Sequence, residues 1–285
     1  MEWFEAVLLG LIQGLTEFLP ISSSGHLEIG KVLLGVETQD DLLFTTMVHA
    51  ATVLSTIVVF RKQIWDLLKG FFCGLKELRV AKDEAGKVAL KCNDQTDYLF
   101  KMVVSMVPVL VVGLFFKDKV ESLFGSIQVV GGALLVTALL LFFSDYASRP
   151  GRKSIFPSND YRNGISYWQA FAVGLGQAFA VVPGLSRSGT TISTGLICGV
   201  KREVMAQFSF LMVLVPILGE TFLEVVGGEF GASSVGGLAL VLGFVSAFLS
   251  GLFACKVMIT LVKKAKLGWF ALYCLIAAAC IFIFA

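Results

Sequence analysis

The chain has 285 residues, of which 56% are hydrophobic and only 15% charged, with a mean hydropathy of +0.82. Soluble domains carry about a quarter charged residues, so composition excludes one and points to a polytopic membrane protein surrounded by lipid bilayer. The net charge of +2 is too small to suggest nucleic acid as a partner.

In chain order, the N-terminus MEWFEAVLLG is acidic rather than basic and lacks a small-residue cleavage pattern, so no signal peptide is expected. A first apolar stretch, 3–36, is interrupted by Pro20 and a Ser-rich cluster. Apolar segments at 42–60, 98–116 and 126–144 follow, each near the ~20 residues that cross a hydrocarbon core. A second interrupted stretch, 166–200, precedes segments at 205–226, 236–257 and 268–285. Broken backbone at membrane depth survives only where protein or a cavity surrounds it. The expected fold is therefore all-α, with six transmembrane helices plus two re-entrant helical hairpins in a single membrane domain, 1–285.

An offset of 164 residues aligns Gly10 with Gly174, Gln13 with Gln177, Ser22-x-Ser24-Gly25 with Ser186-x-Ser188-Gly189, and Phe44 with Phe208. The chain thus reads as a duplication, with repeats of approximately 3–144 and 166–285. Basic residues orient the halves by the positive-inside rule. The 61–97 loop holds eight Lys or Arg, Arg149, Arg152, Lys153 and Arg162 precede the second hairpin, and Lys201 and Arg202 follow it. Lys256, Lys263, Lys264 and Lys266 join the last two spans. All of these are expected in the cytoplasm. Loop 227–235, without Lys or Arg, is expected outside; Lys117 and Lys119 are a small exception beside Asp118 and Glu121. The hairpins then enter from opposite sides, an inverted-topology repeat whose polar turns meet near the midplane.

The first turn reads Gln13-Gly-Leu-Thr-Glu17-Phe-Leu-Pro20-Ile-Ser22-Ser23-Ser24-Gly25-His26, and the second Pro183-Gly-Leu-Ser186-Arg187-Ser188-Gly189-Thr190-Thr191. Gln13 and Glu17, four apart, share a helix face. A helix beginning at either Ser cluster presents free N–H groups and a favourable dipole to an anion, and Arg187 adds a forked donor for phosphate oxygens. Together the turns offer an acid, an imidazole, hydroxyls and a fixed cation, which is a phosphate site with acid–base or nucleophilic capacity. A buried Glu17–Arg187 pair that only locks the fold, and Ser22 and Ser186 as turn caps, are the structural alternatives. His49 reads as a packing residue, Glu220 and Glu224 as either a cation-binding pair or a solvated helix end, and the six cysteines as small apolar side chains without metal spacing.

At these turns, Glu17-Phe-Leu-Pro-Ile-Ser-Ser-Ser-Gly-His26 and Pro183-Gly-Leu-Ser-Arg-Ser-Gly-Thr-Thr191, the sequence resembles the undecaprenyl-pyrophosphate phosphatase family, also called bacitracin-resistance proteins. The resemblance implies a hydrolase of the bacterial inner membrane. Its activity would be conversion of undecaprenyl pyrophosphate to the monophosphate carrier of cell-wall precursors, and its site would open to the outer, periplasmic face. It further implies a divalent cation, Mg²⁺ or Ca²⁺, and a homodimer. By position, the family's (Glu/Gln)xxxGlu motif falls on Gln13 and Glu17, with Glu17 holding the metal and Gln13, often Glu in members, a weaker ligand without charge. The serine–histidine pair falls on Ser23 and His26, the phosphate-binding arginine on Arg187, and a further site threonine on Thr191. Ser22, Ser24, Gly25, Ser186, Ser188 and Gly189 complete the substrate-binding set. Ser23, His26 and water all fit as the attacking group; Ser23 with His26 as its acid–base partner is the preferred reading. A lipid-phosphate transporter or flippase, and a phosphatase of other prenyl or lipid pyrophosphates, are the rival functions.

Overall fold

The structure, a computed structural model, describes residues 1–36, 42–74, 79–82, 88–91, 93–116, 119–120, 123, 126–148, 161–227, 235–264 and 266–284. Cys92, Lys76, Lys87, Arg149, Arg152, Lys153 and nearly all of the 227–235 loop lie outside them, as do the side chains of Glu220 and Glu224.

Both interrupted stretches fold as helix–turn–helix. In the first, α1 (Trp3–Phe18) stops where Leu19, forced towards extended backbone by the following Pro20, takes φ −76° and ψ 143°. The chain restarts as α2 (Ser23–Leu34), which ends on left-handed Gly35. The five longest apolar segments become α3 (Leu42–Gly74), α4 (Asp94–Phe115), α5 (Ile127–Ala147), α8 (Arg202–Gly227) and α9 (Gly237–Lys264). The second hairpin is α6 (Tyr167–Phe179) and α7 (Arg187–Ile197), and α10 (Gly268–Phe284) closes the described chain.

Five helices, α3, α4, α5, α8 and α9, are long and apolar enough to cross a membrane. The sixth expected span, α10, has 17 described residues, about 25 Å at the usual rise. The first span differs more: α3 continues fourteen residues past the expected boundary at 60. Apolar counting stops at Arg61, but Arg61, Lys62, Asp66 and Lys69 are compatible with a helix that has left the membrane, and Arg61, Lys62 and Lys69 are exposed. The expected connector 61–97 therefore begins as helix and then forms an antiparallel hairpin, β1 (Arg79–Lys82) with β2 (Val88–Lys91), registering Arg79 on Lys91.

The first arm of each hairpin packs against a long helix from the other half of the chain, α1 on α9 and α6 on α4. Small residues make both contacts. On α1, Gly10 and Gly14 face Gly243, Ser246, Ala247 and Ser250, and on α6 Gly174 lies on the backbone of Ser105. Between lipid-solvated helices, close backbone approach supplies the dispersion contacts that the hydrophobic effect does not. Ser246 Oγ donates to Val7 O at 2.8 Å across the first seam. Facing outward are rows such as Leu110, Val111 and Leu114 on α4 and Leu139, Phe142 and Phe143 on α5, an apolar perimeter suited to acyl chains.

A Cβ at Gly14 would lie 2.0 Å from Ser250 Oγ and 2.4 Å from the Ala247 carbonyl oxygen, which cannot rotate away. Gly14→Leu is expected to cost roughly 3 kcal/mol, the upper end for overpacking, and to lower the melting midpoint and monodisperse yield in detergent. Gly113→Ala, with nothing within 4 Å of the new Cβ, should leave both unchanged.

Candidate active site

The two turns are built alike. Ser22 precedes α2 and its Oγ accepts from Gly25 N at 3.2 Å; Ser186 precedes α7 and its Oγ accepts from Gly189 N at 3.0 Å. Ser22 and Ser24, and Ser186 and Ser188, each approach within 3.4 Å through their hydroxyls. These are N-caps, so the capping alternative describes Ser22 and Ser186 well. The second serine of each pair reaches the other turn. Gly184 N donates to Ser24 Oγ at 3.4 Å, and Ser188 Oγ donates to Leu19 O at 3.2 Å. Glycines permit this approach: a Cβ on Gly25 would meet Gly184 Cα at 3.4 Å, and one on Gly189 would meet Pro20 O at 3.3 Å.

The contact sets the N-terminal ends of α2 and α7 at one spot, with Glu17 between them. Glu17 Oε2 accepts from Ser23 Oγ at 2.5 Å and from Gln13 Nε2 at 2.9 Å. Its Oε1 lies 3.8 Å from Arg187 Nη2. The Glu17 side chain is 10% exposed and that of Arg187 26%. A carboxylate this deep requires charge and hydrogen-bond partners, and two helix N-termini add favourable dipole. Among the described residues Glu17 is Arg187's only ionic partner. The contact is too long for a hydrogen bond, and Arg187 also lines the adjoining cavity. Thr191, fully buried, donates to Arg187 O at 2.8 Å and pairs with Ser209 Oγ at 2.6 Å, tying α7 to α8.

Gln13, Glu17, Ser23 and Arg187 therefore come together, whereas His26 does not join them. His26 Nδ1 donates to Ser22 O at 2.7 Å, and its Nε2 pairs with Tyr273 OH at 2.7 Å. Ser23 makes its hydrogen bond to Glu17 instead of to His26. The expected Ser23–His26 pairing fails because a histidine at the fourth position of a helix can turn back onto the capping carbonyl, away from the first residue.

Beside Glu17 and Arg187 opens a small cavity. Its lining mixes hydroxyls, Thr52 and Thr56 of α3, Ser188 and Ser209, with the apolar Phe18, Val53, Phe210, Val213, Leu214 and Ile217. Sequence reading missed Thr52, Thr56 and Ser209. Their signal is faint: Thr45, Thr52 and Thr56 recur at helical spacing in an apolar segment. It also missed Thr137 of α5, whose Oγ1 accepts from the buried Ser186 N at 3.2 Å. His49 turns its Nδ1 to Thr45 O at 2.9 Å.

With this geometry in place, comparison with known proteins is decisive. Residues 6–280 match the family model for bacitracin resistance protein BacA. The chain belongs to that family. It is 49% identical over 280 residues to an undecaprenyl-diphosphatase of Bacteroides fragilis, covering 97% of this chain and 96% of the relative. It is 50% identical over 281 residues to one from Parabacteroides distasonis, with the same coverage. A Christiangramia forsetii relative of the same name is 45% identical over 288 residues, covering 100% of this chain and 99% of its own.

Thr137→Val keeps shape but leaves the Ser186 N–H buried without its partner. The expected cost is about 1–3 kcal/mol, read as a lower melting midpoint in detergent.

Proposed function

We propose that the protein is an integral membrane phosphatase that hydrolyses undecaprenyl pyrophosphate to undecaprenyl phosphate, recycling the cell-wall lipid carrier and conferring bacitracin resistance. The observation that carries this reading is the Ser23 hydroxyl held 2.5 Å from a buried carboxylate, with Arg187 on the other side of that carboxylate. Family membership and the names of full-length relatives support it.

The site suits a lipid diphosphate: Arg187 and the α2 and α7 N-termini offer anion donors to the head, and the apolar residues of the lining offer contact to the prenyl chain. Ser23 Oγ attacks the terminal phosphorus while its proton passes to Glu17 Oε2. The bond from phosphorus to the bridging oxygen breaks, and the lipid monophosphate leaves. Water then attacks the phosphoserine, and Glu17 returns its proton to Ser23 Oγ as inorganic phosphate departs. Arg187 binds the equatorial oxygens on which charge accumulates. In this scheme Glu17, not His26, is the acid–base partner of Ser23.

A divalent cation, Mg²⁺ or Ca²⁺, fits the donors in a limited way. Gln13 Oε1 is buried with no partner, and Glu17 Oε1 lies near Arg187 without a hydrogen bond. Among the described residues no three His, Cys, Asp or Glu side chains cluster. Gln13 and Glu17 would supply two ligands, and the diphosphate and water the remainder, as Mg²⁺ sites commonly arrange. Bound there, the cation would neutralise diphosphate charge.

In the membrane, the reading places six spans, with α10 the shortest. Repeats 3–144 and 166–285, each one re-entrant hairpin followed by three spans, insert in opposite directions, with 61–97 in the cytoplasm and the site open to the periplasmic side of the inner membrane. The matched caps at Ser22 and Ser186 and the crossed packing of α1 on α9 and α6 on α4 support such a repeat. A homodimer completes the proposal.

Purified wild type is expected to release phosphate from a C55 pyrophosphate, faster than from a C15 one, and to lose activity with chelator. Ser23→Ala should lower kcat by about 10³-fold or more, the scale for losing a nucleophile. Activity near wild type would remove Ser23 as attacker, and no release from any lipid pyrophosphate would favour a carrier.

A further inference from the structure

The last helix reaches the first turn on both sides of the reactive serine. Tyr273 OH donates to His26 Nε2 at 2.7 Å, and the two rings stack with centroids 5.5 Å apart at 15°. One residue on, buried Cys274 directs its thiol to Pro20 O at 3.8 Å. α10 is otherwise apolar, and Tyr273 is its sole hydroxyl side chain.

Between these two contacts sits a strained residue. Ser22 has φ 72° and ψ 99°, one of two non-glycine residues with positive φ among those described. Such a conformation costs about 1–3 kcal/mol and persists only where surrounding contacts over-determine it. Three contacts do so here: Ser22 Oγ caps Gly25 N, and Ser22 O accepts from both the backbone N–H and Nδ1 of His26. The turned backbone at Ser22 sets the direction in which the next residue, Ser23, leaves it, and Ser23 Oγ points at Glu17.

The His26 ring has no nitrogen left for the substrate. Facing a carbonyl, Nδ1 carries the proton, which leaves Nε2 as the acceptor for Tyr273; this tautomer follows from the partners. We infer that Tyr273 is a positioning residue: its hydroxyl fixes the His26 ring on the Ser22 carbonyl, and this Tyr273–His26–Ser22 brace holds the turn that aims Ser23 at Glu17. His26 acts as a bracket and transfers no proton. The inference rests on the reading of Ser23 as the attacking group.

The test compares Tyr273→Phe, His26→Asn and His26→Ala in purified full-length protein releasing phosphate from undecaprenyl pyrophosphate. Tyr273→Phe keeps the ring stack and loses only the hydroxyl; kcat should fall about tenfold with KM within twofold. The Asn amide can donate to Ser22 O in place of Nδ1, so His26→Asn should recover at least tenfold over His26→Ala, with a pH profile overlaying that of wild type. The melting midpoints of Tyr273→Phe and His26→Asn should match wild type, separating aim from unfolding. Tyr273→Phe within twofold of wild-type kcat overturns the proposal. So does His26→Asn as inactive as His26→Ala, or a variant profile that has lost one limb, the mark of a true acid–base histidine. Failure of the phosphatase reading would look different, since wild type itself would release no phosphate.

Discussion

A carboxylate buried at the junction of two helical turns is the constraint on which the rest of the structure depends. Glu17 cannot sit at that depth as an anion without compensation. Ser23 and Gln13 hydrogen-bond to it, and Arg187 faces it from a different hairpin. Neither hairpin alone provides all of these. The crossed hydrogen bonds of Ser24 with Gly184 and Ser188 with Leu19, and the glycines that let the turns touch, exist at the one place where those partners can meet. The same arrangement that makes the ion tolerable aims a hydroxyl at its basic oxygen. Stability and reactivity thus arise from one set of contacts.

Holding two broken helices in register takes scaffolding from the whole chain. The first arms are gripped by long helices of the opposite half, Gly10 and Gly14 of α1 against α9 and Gly174 of α6 against α4. Thr137 fixes the backbone of the second turn from α5, Ser209 fixes α7 through Thr191 from α8, and α10 touches the first turn at Pro20 and His26. The cavity forms where α3 and α8 flank Glu17 and Arg187. Its lining is mixed because both helices bring hydroxyl and apolar side chains, Thr52, Val53 and Thr56 from α3 and Ser209, Phe210 and Val213 from α8.

Much of this was legible in the sequence because it is written in strong local signals. Proline and serine clusters inside apolar stretches mark the breaks, and helix–turn–helix elements appear at both. Repeat alignment of Ser22 with Ser186 anticipates two like turns, and their caps match. Three things were less legible. The extent of α3 was hidden because hydropathy reports where a segment leaves lipid, not where its helix ends. Thr52, Thr56, Thr137 and Ser209 join the site only through tertiary packing, and isolated hydroxyls in apolar helices usually bond their own backbone, as Thr56 does to Thr52 O. The direction of His26 depends on the Ser22 backbone and on Tyr273, 247 residues away; spacing within the motif carries neither.

Glu17 and Arg187, brought from separate hairpins, act in this scheme as one unit on one substrate. The most direct measurement is a double-mutant cycle on kcat/KM for phosphate release, using the mild substitutions Glu17→Asp and Arg187→Lys so that residual activity stays measurable. The account predicts strong coupling, with the double variant falling little below the worse single one. Losses that multiply would mean that the two residues act independently, and would contradict a site shared between the turns.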